Sequence, residues 1–127
     1  MQAATDHQAF VRSWLDAFNR GDLEAILAHY APGIQHVSPT VRRLLDRPDG
    51  AVDGIADLRS FYEAALAAAG PGLTYTLRSL HDGVGGCTIV YGRSGGKLVA
   101  ETFLFDDDGR ITWSFVAHAE AAAPESA

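Results

Sequence analysis

The chain of 127 residues is poor in several things that decide fold and function. It has one cysteine, Cys87, so neither an intrachain disulfide nor a multi-cysteine zinc site can form. Cations are the minority, 10 Lys and Arg against 16 Asp and Glu, for a formal charge of −6. An acidic surface repels phosphate backbones, which argues against nucleic-acid binding. No stretch approaches the roughly 18 to 20 apolar residues that span a bilayer, so no membrane partner is expected. Met1 to His7 lacks a basic segment followed by an apolar run. No secretory leader is therefore expected, and the expected location is the cytoplasm. Gly83, Gly85 and Gly86 precede a strand pattern rather than a helix, so they do not form a phosphate loop. No Gly-x-Ser-x-Gly elbow is present. The five histidines, His7, His29, His36, His81 and His118, have no local metal-ligand spacing, and no metal or organic cofactor is expected.

What is present suits one compact domain. Hydrophobic residues make up 47% of the chain, enough for a core without staples. We place the domain at 1–120 and a flexible, Ala-rich tail with Pro124 at 121–127. Phe10, Trp14, Leu15 and Phe18 recur at helical spacing over Asp6 to Asn19, with Thr5 or Asp6 as cap and Gly21 as terminator. Asp22 opens a short second helix with Leu23, Ile26, Leu27 and Tyr30 as its stripe. Ile34 to Ser38 reads as a strand, and 39–53 as a loop with one helical turn at Val41 to Leu45. Gly54 to Ala69 is a third helix, ended by Gly70-Pro71-Gly72.

The hydrophobic period then changes from 3.6 to 2. Strands are expected at Leu73 to Leu80, Gly86 to Gly92, Lys97 to Phe105 and Ile111 to His118, with turns at Arg93 to Gly96 and Asp106 to Gly109. Helices first and antiparallel strands after make an α+β pattern. A curved sheet wrapped around three N-terminal helices can enclose a pocket.

Three stretches carry a resemblance to a known family. They are Trp14 to Tyr30 with its Asn-Arg-Gly-Asp joint, Asp53 to Tyr62 with its entry glycine, and Glu101 to Ile111. Together the chain resembles the nuclear transport factor 2-like superfamily, the cone-shaped fold of ketosteroid isomerases and SnoaL-like polyketide cyclases. This fold hosts enzymes, binders and assembly modules alike.

Glu101 leads the candidates. It lies in the apolar run Leu98 to Phe105, on the face of Val99, Phe103 and Phe105. If that face lines the pocket, desolvation raises its pKa and makes it an acid or a hydrogen-bond donor. The resemblance places it where the family's enzymes carry a functional Asp. His36 and Ser38 share a face of the first strand. Ser38 matches the position of the ketosteroid isomerase base, a role serine cannot fill unaided. His36 is a substitute base or a structural histidine. Trp14 matches the family's oxyanion-hole tyrosine, and Tyr62 a supporting tyrosine able to donate to Glu101 or to a ligand carbonyl.

Tyr30, Tyr75 and Tyr91 read as pocket wall or core, and Phe103 joins the pocket list. On the last strand, Thr112, Ser114, Val116 and His118 share one face, and Ile111, Trp113, Phe115 and Ala117 the other. Either face can be inward. With the first inward, Ser114 and His118 enter the pocket, and the aromatic face suits a homodimer, as the resemblance implies. Arg42, Arg43 and Arg47 form either an anion-binding rim or a solvated loop. The limonene-type epoxide hydrolase pattern needs an Arg where Val99 stands and an acid on the last strand, and both are missing.

Two functions follow as expectations. One is cofactor-independent isomerisation or cyclisation of an apolar carbonyl compound. Glu101 would act as acid, His36 or His118 would move the proton, and Trp14 and Tyr62 would orient the carbonyl. The other is a non-catalytic ligand-binding or dimerisation module of the same fold.

Overall fold

A computed structural model describes residues 6–119. Thr5 and the segment 121–127 lie outside the described residues. Helix α1 (His7–Asn19) starts where the Asp6 carboxylate accepts the Ala9 N–H, satisfying an otherwise orphaned donor. It buries Phe10, Val11, Trp14, Ala17 and Phe18. Gly21, at φ 64°, turns the chain into Asp22, whose carboxylate accepts the Ala25 N–H and caps α2 (Leu23–Leu27).

Tyr30, expected on the stripe of this second helix, instead opens strand β1 (Tyr30–Val37). The strand runs parallel to the last strand, pairing Tyr30 with Ile111 and His36 with Ser114. A register shift between Tyr30 and Gln35 accommodates Pro32, which has no N–H to give a ladder.

Segment 39–53 is more ordered than its composition suggests. Ser38 Oγ accepts the Thr40 N–H, and Pro39 sits in the first turn of α3 (Pro39–Leu45). The three-residue strand β2 (Ala51–Asp53) then pairs antiparallel with β1. Among the described residues there are four helices and six strands, where the hydrophobic pattern marks three and five. A three-residue strand is too short to show a period.

Helix α4 (Ile55–Ala69) follows, then β3 (Tyr75–Asp82), β4 (Gly86–Arg93), β5 (Lys97–Phe105) and β6 (Ile111–His118). The sheet order is β2-β1-β6-β5-β4-β3, antiparallel except at β1-β6. Its inner face packs on the helices. Alternation along β5 buries Val99, Glu101 and Phe103 together. On β6, Ser114 and Val116 are buried and Phe115 is exposed, which resolves the two readings of this strand. Ile111 departs from strict alternation. A bulge pairs Leu104 with Trp113 but Phe105 with Ile111, and the extra residue returns Ile111 to the buried face.

Phe103 is wholly buried, with its ring edge-to-face against Phe10 at 5.0 Å and Trp14 at 5.3 Å. It locks α1 onto β5. We predict that Phe103→Ala costs about 3–5 kcal/mol of stability, measured by urea unfolding. A loss under 1 kcal/mol would show that the ring does not clamp the helix to the sheet.

Candidate active site

A cavity of about 250 Å³ opens between α1, α3, α4 and the inner face of the sheet. Phe18, Phe61, Leu66 and Tyr75 give it apolar walls, and Trp14, His36, Ser38, Tyr62, Tyr91, Glu101 and His118 bring polar atoms to it. Of the expected pocket residues, Tyr30, Phe103 and Ser114 stand behind the wall rather than on it. Tyr30 and Phe103 are held in the aromatic core, and Ser114, wholly buried, lies behind His36.

Glu101 is 2% exposed. The Tyr91 hydroxyl donates to its Oε1 at 2.9 Å, and Oε2 is enclosed with no hydrogen-bond partner. Burial pushes its pKa up to about 8, against which the Tyr91 hydrogen bond works in the opposite direction. At neutral pH the protonated carboxyl is the majority form, and Oε2 is the oxygen free to carry the proton. Tyr91, not Tyr62, is the tyrosine bonded to Glu101.

Tyr62 belongs to a different chain of hydrogen bonds. Trp14 Nε1 donates to the Tyr30 hydroxyl at 3.1 Å, which lies 2.8 Å from the Tyr62 hydroxyl. The Tyr30 oxygen accepts from the indole, so the buried Tyr30 proton is satisfied when it is given to Tyr62. That direction leaves the Tyr62 O–H free toward the cavity. The Trp14 N–H is engaged within the wall. Burial holds all three phenols, Tyr30, Tyr62 and Tyr91, well above their ordinary pKa, so they remain protonated donors.

His36, 2% exposed, has Nδ1 2.5 Å from Ser114 Oγ. The Ser114 hydroxyl has no other partner among the described residues, so its proton is satisfied by donation to Nδ1. This places the ring proton on Nε2. Burial lowers the pKa of His36 to about 4, and the ring is neutral at pH 7. The expected substitute base is therefore an N–H donor, packed against Phe61 and Tyr62. Ser38 lines the cavity, but its oxygen is engaged as the cap of α3. His118 stands half-buried on the wall, its pKa lowered by burial and by Lys97, Arg93 and Arg43.

Of the three loop arginines, Arg47 is paired with Asp57 at 2.6 Å, and Arg42 and Arg43 are both exposed, with Arg43 also lining the cavity. Arg93, expected in the turn before Lys97, instead ends β4 and also lines the cavity. Counting by twos from Tyr91 would have found it. Among the described residues, no group of three His, Cys, Asp or Glu is placed to hold a metal ion, and no helix is long and apolar enough to cross a membrane.

The SnoaL-like domain family matches residues 11–122, and the chain belongs to that family. It is 32% identical to a SnoaL-like protein of unknown function from Burkholderia thailandensis. That match has a TM-score of 0.84 and covers 91% of this chain and 97% of that one. An NTF2-like protein of unknown function from Burkholderia pseudomallei is 16% identical, with a TM-score of 0.72 over 91% of this chain and 92% of that one. A protein from Sinorhizobium meliloti described as a "putative polyketide cyclase" is 14% identical, with a TM-score of 0.69 over 86% of this chain and 94% of that one. These last two likenesses show the NTF2-like fold alone. No curated protein matches the chain.

The buried carboxyl couples stability to pH. Its pKa rises from 4.5 to about 8 on folding, so the folded state retains a proton that the unfolded chain loses over that range. Stability falls as pH rises through it. His36 acts in the opposite sense, from 6.5 down to about 4, and adds stability only as pH rises to about 6.5. We predict that unfolding free energy declines between pH 6.5 and 8 and that Glu101→Gln removes the decline. Equal slopes in the two proteins, measured by urea titration, would mean that Glu101 is ionised in the fold throughout.

Proposed function

We propose that this chain is a small-molecule enzyme that isomerises or cyclises an apolar carbonyl compound by acid–base chemistry at Glu101. The observation that carries this reading is the unpartnered Oε2 of a fully buried carboxyl in the wall of a largely apolar cavity. A pKa near the working pH lets one group both take and return a proton. The substrate carbonyl oxygen accepts hydrogen bonds from the Tyr62 O–H and the His36 Nε2–H. The ionised fraction of Glu101 takes a proton from the neighbouring carbon. The C–H electron pair forms a C=C bond, and the carbonyl π pair moves to the oxygen, held by two neutral donors in a low-dielectric site. In a ketone with a β,γ C=C the enolate is a conjugated dienolate, and protonated Glu101 returns the proton to its far carbon, giving the α,β-unsaturated isomer. Attack of the enolate carbon on a second carbonyl of the same molecule closes a ring instead, the π pair of that carbonyl moves to its oxygen, and the proton on Glu101 passes to the resulting alkoxide.

A ligand-holding pocket without turnover is the second reading. It is favoured by Ser38, whose oxygen caps α3 where a ketosteroid isomerase carries its base. Exchange of α-hydrogens in D2O separates the two without knowledge of the product. In a panel of apolar enolisable ketones, the chain should catalyse deuterium uptake at a rate that rises with pH to a plateau above about 8. Glu101→Gln should lower it about a hundredfold with the fold intact. No catalysed uptake by any ketone shown to bind would favour the holding function.

We also propose that the outer sheet face pairs two copies of the chain. Trp113 and Phe115 stack there at 6.0 Å, and Leu104 and Phe115 are each 43% exposed. Light scattering should give about twice 13.5 kDa for the native chain, and Phe115→Lys should return the monomer mass. A native monomer at micromolar concentration would reject this interface.

A further inference from the structure

We propose that the ligand of this cavity carries a carboxylate or similar anionic group at the end opposite its carbonyl, held at the mouth by Arg43, Arg93 and His118. This rests on the reading of the cavity as a ligand site and narrows its ligand from an apolar carbonyl compound to an amphiphile, an apolar body with a carbonyl at one end and an anion at the other.

Register sets the cavity's long axis. On β5 and β6, Glu101 faces Val116, and Val99 faces His118. On β4 and β5, Ile89 faces Glu101, and Arg93 faces Lys97. Moving outward along the inner face, one passes the Glu101 level, then the His118 level, then the Arg93 level. At about 3.3 Å per residue, these levels lie roughly 7 and 13 Å from Glu101 along the strands. Arg43, on α3, lines the same cavity, and its charge and that of Arg93 both act on His118.

Charge is distributed unevenly over this axis. The chain carries an excess of acids, yet among the described residues Glu101 is the one Asp or Glu lining the cavity. Arg20, Arg47 and Arg59 are each held by carboxylates elsewhere on the molecule. Neither Arg43 nor Arg93 is in an ion pair among the described residues. Arg93 Nε is enclosed with no hydrogen-bond partner among the described residues. A buried guanidinium N–H without an acceptor is a costly arrangement in a finished fold. It is relieved by an anion entering the mouth, where two guanidinium groups give charge-assisted hydrogen bonds. The Thr40 and His118 side chains, also on the lining, add neutral polar atoms beside them.

The deep end is built differently. Its donors are neutral: a carboxylic acid, a phenol and an imidazole N–H. A neutral carbonyl suits that end, and an anion suits the mouth. A keto acid or a related acyl carboxylate fits both ends at once.

The test uses octanoate, methyl octanoate and octylamine, three probes that share a chain and differ in the charge of the head. Binding to the intact chain is followed at pH 7 by NMR titration of backbone amides. Octanoate should bind at least about 10-fold more tightly than methyl octanoate, and octylamine more weakly than either. The largest shifts for octanoate should fall at 93 and 118. Arg93→Met and Arg43→Met should each reduce the octanoate preference and leave methyl octanoate unchanged. Equal affinity for octanoate and its ester overturns the anionic end while the cavity stands as a ligand site. Failure of all three probes to bind overturns both. A preference for octanoate that survives both arginine substitutions places the anion elsewhere and also overturns the proposal.

Discussion

The structure turns on a carboxyl group buried without a cation to neutralise it. Glu101 is enclosed by the helices and the sheet, and one phenol touches one of its oxygens. Removing an ionised carboxylate from water is expensive, so the group holds its proton into the neutral range. An Arg beside it would have given a permanently charged ion pair with no proton-transfer use near pH 7. Tyr91 moderates the shift without neutralising it, because its hydroxyl favours the ionised form only modestly.

The aromatic core has two duties. Trp14, Phe18, Tyr62, Tyr75, Tyr91 and Phe103 pack on one another at ring separations of 4.5 to 5.6 Å, which fixes α1 and α4 against the sheet. Three of the same side chains, Trp14, Tyr62 and Tyr91, make side-chain hydrogen bonds at the cavity or just behind its wall. The Trp14–Tyr30–Tyr62 chain shows how this works: two members behind or within the wall set the direction in which the third donates. Ser114 does the same for His36. Directionality in the cavity therefore comes from groups a ligand need not touch, and their burial keeps the donors from turning away.

Chemical character also changes along the cavity. The floor is neutral and donor-rich, the middle is aromatic, and the rim is basic in a molecule that is acidic overall. Such a gradient orients a ligand that is itself asymmetric. The α3 segment matters here because it is capped by Ser38 and Pro39 and carries Arg43 to the cavity lining.

Local chemistry was enough to fix much of this. The caps at Asp6 and Asp22, the turn at Gly21, the period change after Gly72 and the alternation that places Glu101 with Val99 and Phe103 are all short-range properties. Each depends on a few neighbouring residues and on the 3.6 or 2 periodicity of a single element. The family resemblance likewise rested on residues read in order along the chain. What neighbours in sequence could not decide was which distant groups meet. The bonds of Glu101 to Tyr91, His36 to Ser114 and Tyr30 to Tyr62 join residues 10, 78 and 32 positions apart. The tautomer of His36, the free oxygen of Glu101 and the exclusion of Tyr30, Phe103 and Ser114 from the cavity wall all follow from those meetings. The bulge at Ile111 and the three-residue β2 also depend on partner strands, since neither has a period of its own. Sequence determined the elements and their faces because these are local. Tertiary structure decided protonation and donor direction, because desolvation and hydrogen-bond partners come from every element that closes over a group.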